Sequence, residues 1–255
     1  MSTQTQQAVD LLKSIATGDP APSAIINPDH YTQHNLTAPD GLPGFLGLQQ
    51  LVSTSGGAAI DTVRAFQDGE YVFTHTEYSV LGQSLVGFDV FRFEDGKAVE
   101  HWDNLQPAAA PNASGHTMTD GPVVATDLDQ TEANKTLVRA FVEDIVVKRQ
   151  SDKLAGFFNG DNYIQHNPGV ADGVSGLLAA AGALAETGSE LKYDKIHLLL
   201  GEGNFVFVAS EGSLGGTPTA FFDLFRVENG KLAEHWDTVA VIPNRSTWMN
   251  ANGKF

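Results

Sequence analysis

The chain has 255 residues, no cysteine, and 31 acidic against 15 basic residues, a formal charge of −16. That charge opposes attraction to phosphate backbones and anionic lipid, so neither nucleic acid nor a membrane surface is an expected partner. Without cysteine there are no disulfides, thiolate nucleophiles or cysteine-ligated metals. The first 19 residues lack a basic segment followed by an apolar core, and no apolar run reaches spanning length, so a cytoplasmic protein is expected.

Val9, Leu12, Ile15 and Ala16 recur at helical spacing up to the break at Gly18-Asp19-Pro20. Next come Tyr31-Thr32-Gln33-His34-Asn35 and an apolar stretch, 45–52, which reads as a second helix. The chain then changes to short β-branched and aromatic runs at 59–66, 71–78, 85–93 and 97–105, separated by Asp68-Gly69, Gly82-Gln83 and Asp95-Gly96. That pattern predicts an antiparallel meander. From 106 to 130 no apolar period is sustained, and Pro107-Ala108-Ala109-Ala110-Pro111-Asn112 opens a linker.

The pattern then starts again. Leu137, Val138, Phe141, Val142, Ile145 and Val146 form an amphipathic helix after Asp129-Gln130-Thr131-Glu132. Tyr163-Ile164-Gln165-His166-Asn167 repeats the earlier motif, 174–184 repeats the second helix, and 191–200, 204–211, 217–227 and 231–242 repeat the strands. The run from Phe88 to Asp103 returns from Phe222 to Asp237, with Phe-Asp, Phe-Arg, Gly-Lys and Glu-His-Trp-Asp intact. Pro243-Asn244-Arg245-Ser246 likewise echoes Pro111-Asn112-Ala113-Ser114. The chain is therefore a tandem duplication with a period too long for a solenoid. The expected division is a first domain at 1–112, a linker at 113–128 and a second domain at 129–255. Each is α+β, with N-terminal helices packed on a curved, mainly antiparallel sheet and a conical cavity between the layers.

Alternation along the third long strand puts Asp89, Phe91 and Phe93 on one face, and Phe88, Val90 and Arg92 on the other. Along the fourth, Val99, His101 and Asp103 oppose Ala98, Glu100 and Trp102. Whether Asp89 meets His101 depends on the turn. A two-residue Asp95-Gly96 turn pairs Asp89 with Trp102, whereas a three-residue Glu94-Asp95-Gly96 loop with a bulge pairs Asp89 with His101. The second register is favoured because it keeps Arg92 and Glu100 out of the interior.

An aspartate among aromatic rings suits proton abstraction next to a carbonyl, because desolvation favours its neutral form. His101 or His75 could orient it, and His34 with Asn35 could donate to a substrate oxygen. Against these stand plainer roles: His34-Asn35 as a helix cap, Asp89 as a hydrogen-bonded strand residue, and Trp102 and Trp236 as core or interface. Arg92–Glu100 and Arg226–Glu234 read as exposed cross-strand pairs. A metal site built on His34, His75, His101 and nearby aspartates lacks compact ligand spacing, so no metal or cofactor is expected.

Tyr-x-Gln-His-Asn together with Phe-Asp-x-Phe-Arg-x-Glu-x-Gly-Lys-x-x-Glu-His-Trp-Asp resembles the SnoaL-like polyketide cyclase group of the nuclear transport factor 2-like superfamily, in both halves. The resemblance implies a cone-shaped fold and cofactor-free acid/base chemistry of the aldol cyclase, isomerase or dehydratase type on a small hydrophobic or carbonyl-containing ligand. It also implies an intramolecular pseudo-dimer of the halves, with Trp102 and Trp236 near its interface. Noncatalytic binding domains share the fold.

By motif position the acid/base pair falls on Asp89 and His75, with His34 and His101 as further candidates. The second copy offers Asp223, His166 and His235, but Ala209 stands where His75 is expected. The first site is therefore expected to be the more complete. Substrate contacts are expected from Asn35, Phe91, Phe93 and Asp103, and from Asn167, Phe225 and Asp237.

Overall fold

The computed structural model describes residues 2–255. It forms two compact units: one runs to Ala108 and also takes in Pro243–Phe255, and the other is Ala109–Ile242. This division differs from a cut within the linker because the tails cross over. The residues after the first copy's last strand pack in the second unit, and the C-terminal tail packs in the first.

In the first unit, α1 (Thr3–Thr17) starts at Ser2, whose Oγ accepts from the Thr5 N–H, and stops at Gly18 in the left-handed region. It buries Ala8, Leu11, Leu12 and Ile15. A two-residue strand, β1 (Thr32–Gln33), leads to α2 (Gly41–Thr54). Four long strands follow: β2 (Ala59–Asp68), β3 (Tyr71–Val80), β4 (Gln83–Glu94) and β5 (Lys97–Pro107). The sheet order is β1-β5-β4-β3-β2, antiparallel except for β1 beside β5. One face of it carries Val72, Phe91 and Phe93 against Leu11, Leu12, Phe45 and Val52 of the helices. Burying each such side chain contributes about 1.5–3 kcal/mol.

The second unit repeats the plan with α3 (Thr131–Phe141), β6 (Ile164–Gln165), α4 (Gly173–Glu186), β7 (Leu191–Glu202), β8 (Phe205–Leu214), β9 (Thr217–Glu228) and β10 (Lys231–Val241), in the order β6-β10-β9-β8-β7. The helical period expected up to Val146 is present, but its last turn, Val142–Val147, widens to π-helical winding. Among the described residues, no helix is long and apolar enough to cross a membrane.

The β4–β5 turn resolves the register in a way neither expectation described. Glu94 pairs with Lys97, so the loop has two residues, Asp95 and Gly96, both left-handed (φ 49° and 76°). This is the geometry of a type I′ hairpin. The register then shifts between Arg92 and Phe93: Phe93 faces Ala98, and Arg92 faces Glu100. Val99 is thus a bulge inside the strand. That extra residue restores the parity, so Asp89 pairs with Asp103 and His101 with Phe91. The β9–β10 hairpin does the same, with Asn229-Gly230 in the turn and Ala233 as the bulge.

The linker residues are held in place by hydrogen bonds. Asn112 is buried and its Nδ2 donates to the carbonyls of Gln165 (2.6 Å) and Val170 (2.9 Å). In the first unit the C-terminal tail makes the matching bonds: Asn250 Nδ2 donates to Ala38 O (3.0 Å), and Asn252 Nδ2 to Gln33 O (3.0 Å). Gly121, at φ 96°, passes so close to Glu234 and Trp236 that a Cβ there would lie 2.6 Å from the Glu234 carboxylate.

Candidate active site

Each unit gathers an aspartate, a histidine, a glutamine and a tyrosine on the helix-covered side of its sheet. In the first, Asp89 on β4 and His101 on β5 share that face through the bulge, and His101 Nε2 lies 3.1 Å from Asp89 Oδ1. The parallel pairing of β1 with β5 sets Gln33 beside His101, and His101 Nδ1 is 2.8 Å from Gln33 Oε1. That oxygen also accepts the Asn35 N–H (2.8 Å), which identifies it as the amide oxygen. Nδ1 must therefore donate, and a neutral His101 presents a bare Nε2 to Asp89. The other Asp89 oxygen, Oδ2, accepts from the Tyr78 hydroxyl.

Asp103, directly opposite Asp89, accepts from Asn35 Nδ2. The C-terminal tail brings Lys254 Nζ to the Asp103 backbone carbonyl and to within 3.5 Å of Oδ1. Burial, reinforced by the charges of Asp89 and Asp103, pushes the Tyr31 and Tyr78 hydroxyls far above the usual phenol range, so both are permanent donors at ordinary pH.

The second unit repeats the chain of contacts. His235 Nε2 is 2.9 Å from Asp223 Oδ1, His235 Nδ1 is 3.0 Å from Gln165 Oε1, and Asn167 Nδ2 donates to Asp237 Oδ2 at 2.7 Å. Burial alone would lower the His235 pKa. The Asp223 hydrogen bond and the Asp237 and Asp223 charges outweigh it, and the net shift is upward. Asp237 is also shifted upward, first by burial and then by the neighbouring Asp223 charge. The tyrosine hydroxyl here belongs to Tyr193, 3.4 and 3.3 Å from the two Asp223 oxygens.

Tyr78 and Tyr193 are not equivalent in sequence. Tyr78 on β3 pairs with Ile60 on β2, and in the second copy the same cross-strand pair is Gly212 with Tyr193. The phenol has changed strands yet reaches the same carboxylate. Gly212 cannot hold it, since a Cβ there would sit 1.9 Å from the Lys192 carbonyl.

Of the expected residues, the structure brings together Asp89, His101, Asp103, Asn35 and Phe91, which stacks on His101 at 4.5 Å. It likewise assembles Asp223, His235, Asp237, Asn167 and Phe225, whose ring lies 4.7 Å from that of His235. Phe93 lies in the apolar core on the same face. His75 is not brought to Asp89. Its strand neighbour Thr74 pairs with Asp89, while His75 points to the opposite face, stacks on Phe88 at 4.3 Å and accepts from Arg64. The histidine-to-alanine difference at Ala209 therefore does not touch the second site, because Val208 is the residue that pairs with Asp223.

His34 and His166 are also on the outer face. His34 stacks on Trp102 at 4.9 Å, and its two ring nitrogens are taken by Glu100 (3.0 Å) and by the Gly253 carbonyl (3.0 Å). His166 stacks on Trp236 at 4.5 Å between Glu234 (2.8 Å) and the Thr117 carbonyl (2.8 Å). Neither ring nitrogen is left for a substrate. Of the pairs expected to be exposed, Arg226–Glu234 is covered, with the Glu234 side chain 2% exposed and that of Arg226 13%, and Arg92–Glu100 is half-buried.

Asn35 is not the helix cap, a position taken by Asp40. Asp89, His101 and Asp103, and likewise Asp223, His235 and Asp237, each present ligand atoms within 4.8 Å of one another and could hold a cation. Of the histidines weighed for a metal site in the sequence, His34 and His75 belong to neither group.

Sequence reasoning missed Gln33, Gln165, Tyr78, Tyr193 and Lys254. The glutamines lie in the repeated Tyr-x-Gln-His-Asn motif and were within reach. The tyrosines were not, because comparing the copies position by position hides a residue that has moved to the neighbouring strand.

No family model matches the chain, and no curated protein does. Solved structures similar to it include IdmH of Streptomyces antibioticus, a proposed polyketide cyclase, at 20% identity over 41% of this chain and 93% of that one, with a TM-score of 0.35. A nuclear transport factor 2-like protein of unknown function from Cytophaga hutchinsonii is 12% identical over 42% and 93%, with a TM-score of 0.36. A proposed ketosteroid isomerase from Kribbella flavida is 17% identical over 45% and 83%, with a TM-score of 0.37. Each match takes in most of the neighbour but less than half of this chain.

Proposed function

We propose that this chain is a cofactor-independent acid/base enzyme of the cyclase, isomerase or dehydratase type, acting on a small carbonyl-containing molecule. A cavity aspartate, for which Asp89 and Asp223 are the two candidates, removes the proton from the carbon next to the carbonyl. The observation that carries this reading is the Gln–His–Asp relay found in both copies, in each case with a tyrosine hydroxyl at the aspartate, although the tyrosines come from different strands.

In this scheme the C–H bond breaks and its proton passes to the aspartate. The electron pair moves onto the carbonyl oxygen, where the tyrosine hydroxyl is available to donate. The histidine, held by its Nδ1–H on the glutamine oxygen, takes up or returns the proton at Nε2. Positioned acid/base groups of this kind contribute about 10²–10⁴-fold in rate.

The rival reading is a binding module in which the same groups only orient a ligand. Deuterium uptake at the α-carbon of a panel of β-keto esters and cyclic enones in heavy water separates the two. The enzyme reading expects exchange above background that falls at least about 100-fold when Asp89→Asn and Asp223→Asn are combined. Probe binding without exchange in the wild type favours the module. The crossing of the tails supports the two copies working as an intramolecular pseudo-dimer. Small-angle scattering from a single compact particle fits that reading, and scattering from two separated bodies counts against it.

A further inference from the structure

The two copies share one fold, so differences around their sites act as an internal control. In the first unit the side chains that cluster with Tyr78 and Phe91 are closed to solvent. Phe45, Val52 and Ile60 are 5%, 2% and 4% exposed, and Gln49 ties α2 to α1 through Ser14 Oγ (3.0 Å) and the carbonyls of Ser14 (3.2 Å) and Asp19 (2.9 Å). The matching positions in the second unit are Leu177, Leu184, Tyr193 and Ala181. The first three are only half-buried, and an alanine cannot make the glutamine's bonds.

The helices differ accordingly. Where α2 buries Gly44, Phe45, Gln49 and Val52, α4 buries Gly173 alone. A smaller side chain also replaces Leu48, at Ala180.

The polar groups differ in the same sense. Tyr78 is bonded to one Asp89 oxygen, whereas Tyr193 stands 3.3–3.4 Å from both oxygens of Asp223. Asp103 Oδ1 has Lys254 beside it, but in the second tail the residue after the carbonyl that meets the outer histidine is Met118. Asp237 Oδ1 is buried and has no hydrogen-bond partner among the described residues. A buried carboxylate oxygen left so is costly unless something donates to it.

We propose that the second unit holds the ligand-accepting cavity of this chain. It takes a largely apolar molecule bearing one N–H or O–H donor, which meets Asp237 Oδ1 beneath Tyr193, while the first unit is closed by its own side chains. This rests on the proposed acid/base reading for the use made of the ligand, not for its binding. It also reverses the expectation that the first site is the more complete: Ala209 pairs with Phe222 and not with Asp223, whereas Leu177 and Tyr193, both only half-buried, pack against the core that carries Phe225.

The test uses 1-aminoanthracene, an apolar fluorescent amine, titrated into the full-length protein, with circular dichroism confirming that each variant is folded. One saturable site per chain is expected. Filling the second cavity with Leu177→Phe and Ala180→Leu should abolish binding, and Asp237→Leu should weaken it about tenfold, the scale of one lost hydrogen bond. Phe45→Leu in the first unit should leave it unchanged. Two sites, no saturable site, or binding that survives the filled second cavity overturns the proposal. Binding in the second unit without any α-hydrogen exchange sinks the enzymatic reading and leaves this one standing. Exchange that depends on Asp89 and not on Asp223 does the reverse.

Discussion

On β10 the carboxylate of a buried ion-pair cluster and the histidine of the proposed site are adjacent residues facing opposite ways. Glu234 lies between His166 and Arg226 on the outer face, while His235 turns inward to Asp223. Removing one member of a buried ion pair leaves the others uncompensated, at a cost of about 3 kcal/mol or more. Glu234→Gln should therefore destabilise the second unit by about that amount in chemical denaturation. Glu100→Gln should cost less, because the side chain of Glu100 is 20% exposed.

The pH dependence has a definite sign. Burial raises the Glu234 pKa, but the bonds from His166 and Arg226 prevail and the net shift is downward. Its stabilisation is therefore complete above the ordinary value of 4.5 and is lost as pH falls through the folded-state value. Wild-type protein should lose more stability than Glu234→Gln on acidification from about pH 5 downward. Equal acid sensitivity in the two proteins would contradict the assignment.

Among the elements, the β4–β5 hairpin decides which residues meet. Alternation was legible in the sequence, and so was the choice it posed between facing and opposed Asp89 and His101. The means were not legible. The structure uses the two-residue turn and then inserts Val99 as a bulge, a step that leaves no mark in composition because an apolar residue suits either face.

His75 does not reach Asp89, for the opposite reason. Its parity relative to β4 depends on the β3–β4 turn at Leu81-Gly82, and motif position said nothing about that register. The turns themselves are testable. Asn229 occupies the position of Asp95 at nearly the same angle (φ 52° and 49°), so Asp95→Asn should change stability by no more than about 0.5 kcal/mol. Gly96→Val forces a β-branched residue into the left-handed region and should cost about 1–2 kcal/mol or more. Thermal melts of the two variants that coincide would refute the type I′ assignment.

For the whole molecule, the duplication and the α+β plan were readable from repeated motifs and from the change of apolar period. The exchange of tails was not, because Asn112 and Asn250 serve matching carbonyls from segments that look like polar linker. Their bonds make each unit depend on chain from the other copy. Asn112→Ala removes the donor to two carbonyl oxygens and should destabilise the second unit by about 1–3 kcal/mol. An unchanged denaturation midpoint would mean that the tail only rests on the surface.

The most direct test of the account is of the shared proton itself. Protein labelled with ¹⁵N in its histidines should show His235 titrating above its ordinary value of 6.5, with Nδ1 protonated on both sides of the transition and Nε2 alone changing state. Asp223→Asn should pull that titration down, because it removes the hydrogen bond and charge that raise it. A His235 that titrates at or below its ordinary value, carries its neutral proton on Nε2, or ignores Asp223→Asn would contradict the aspartate–histidine pair on which the proposed chemistry rests.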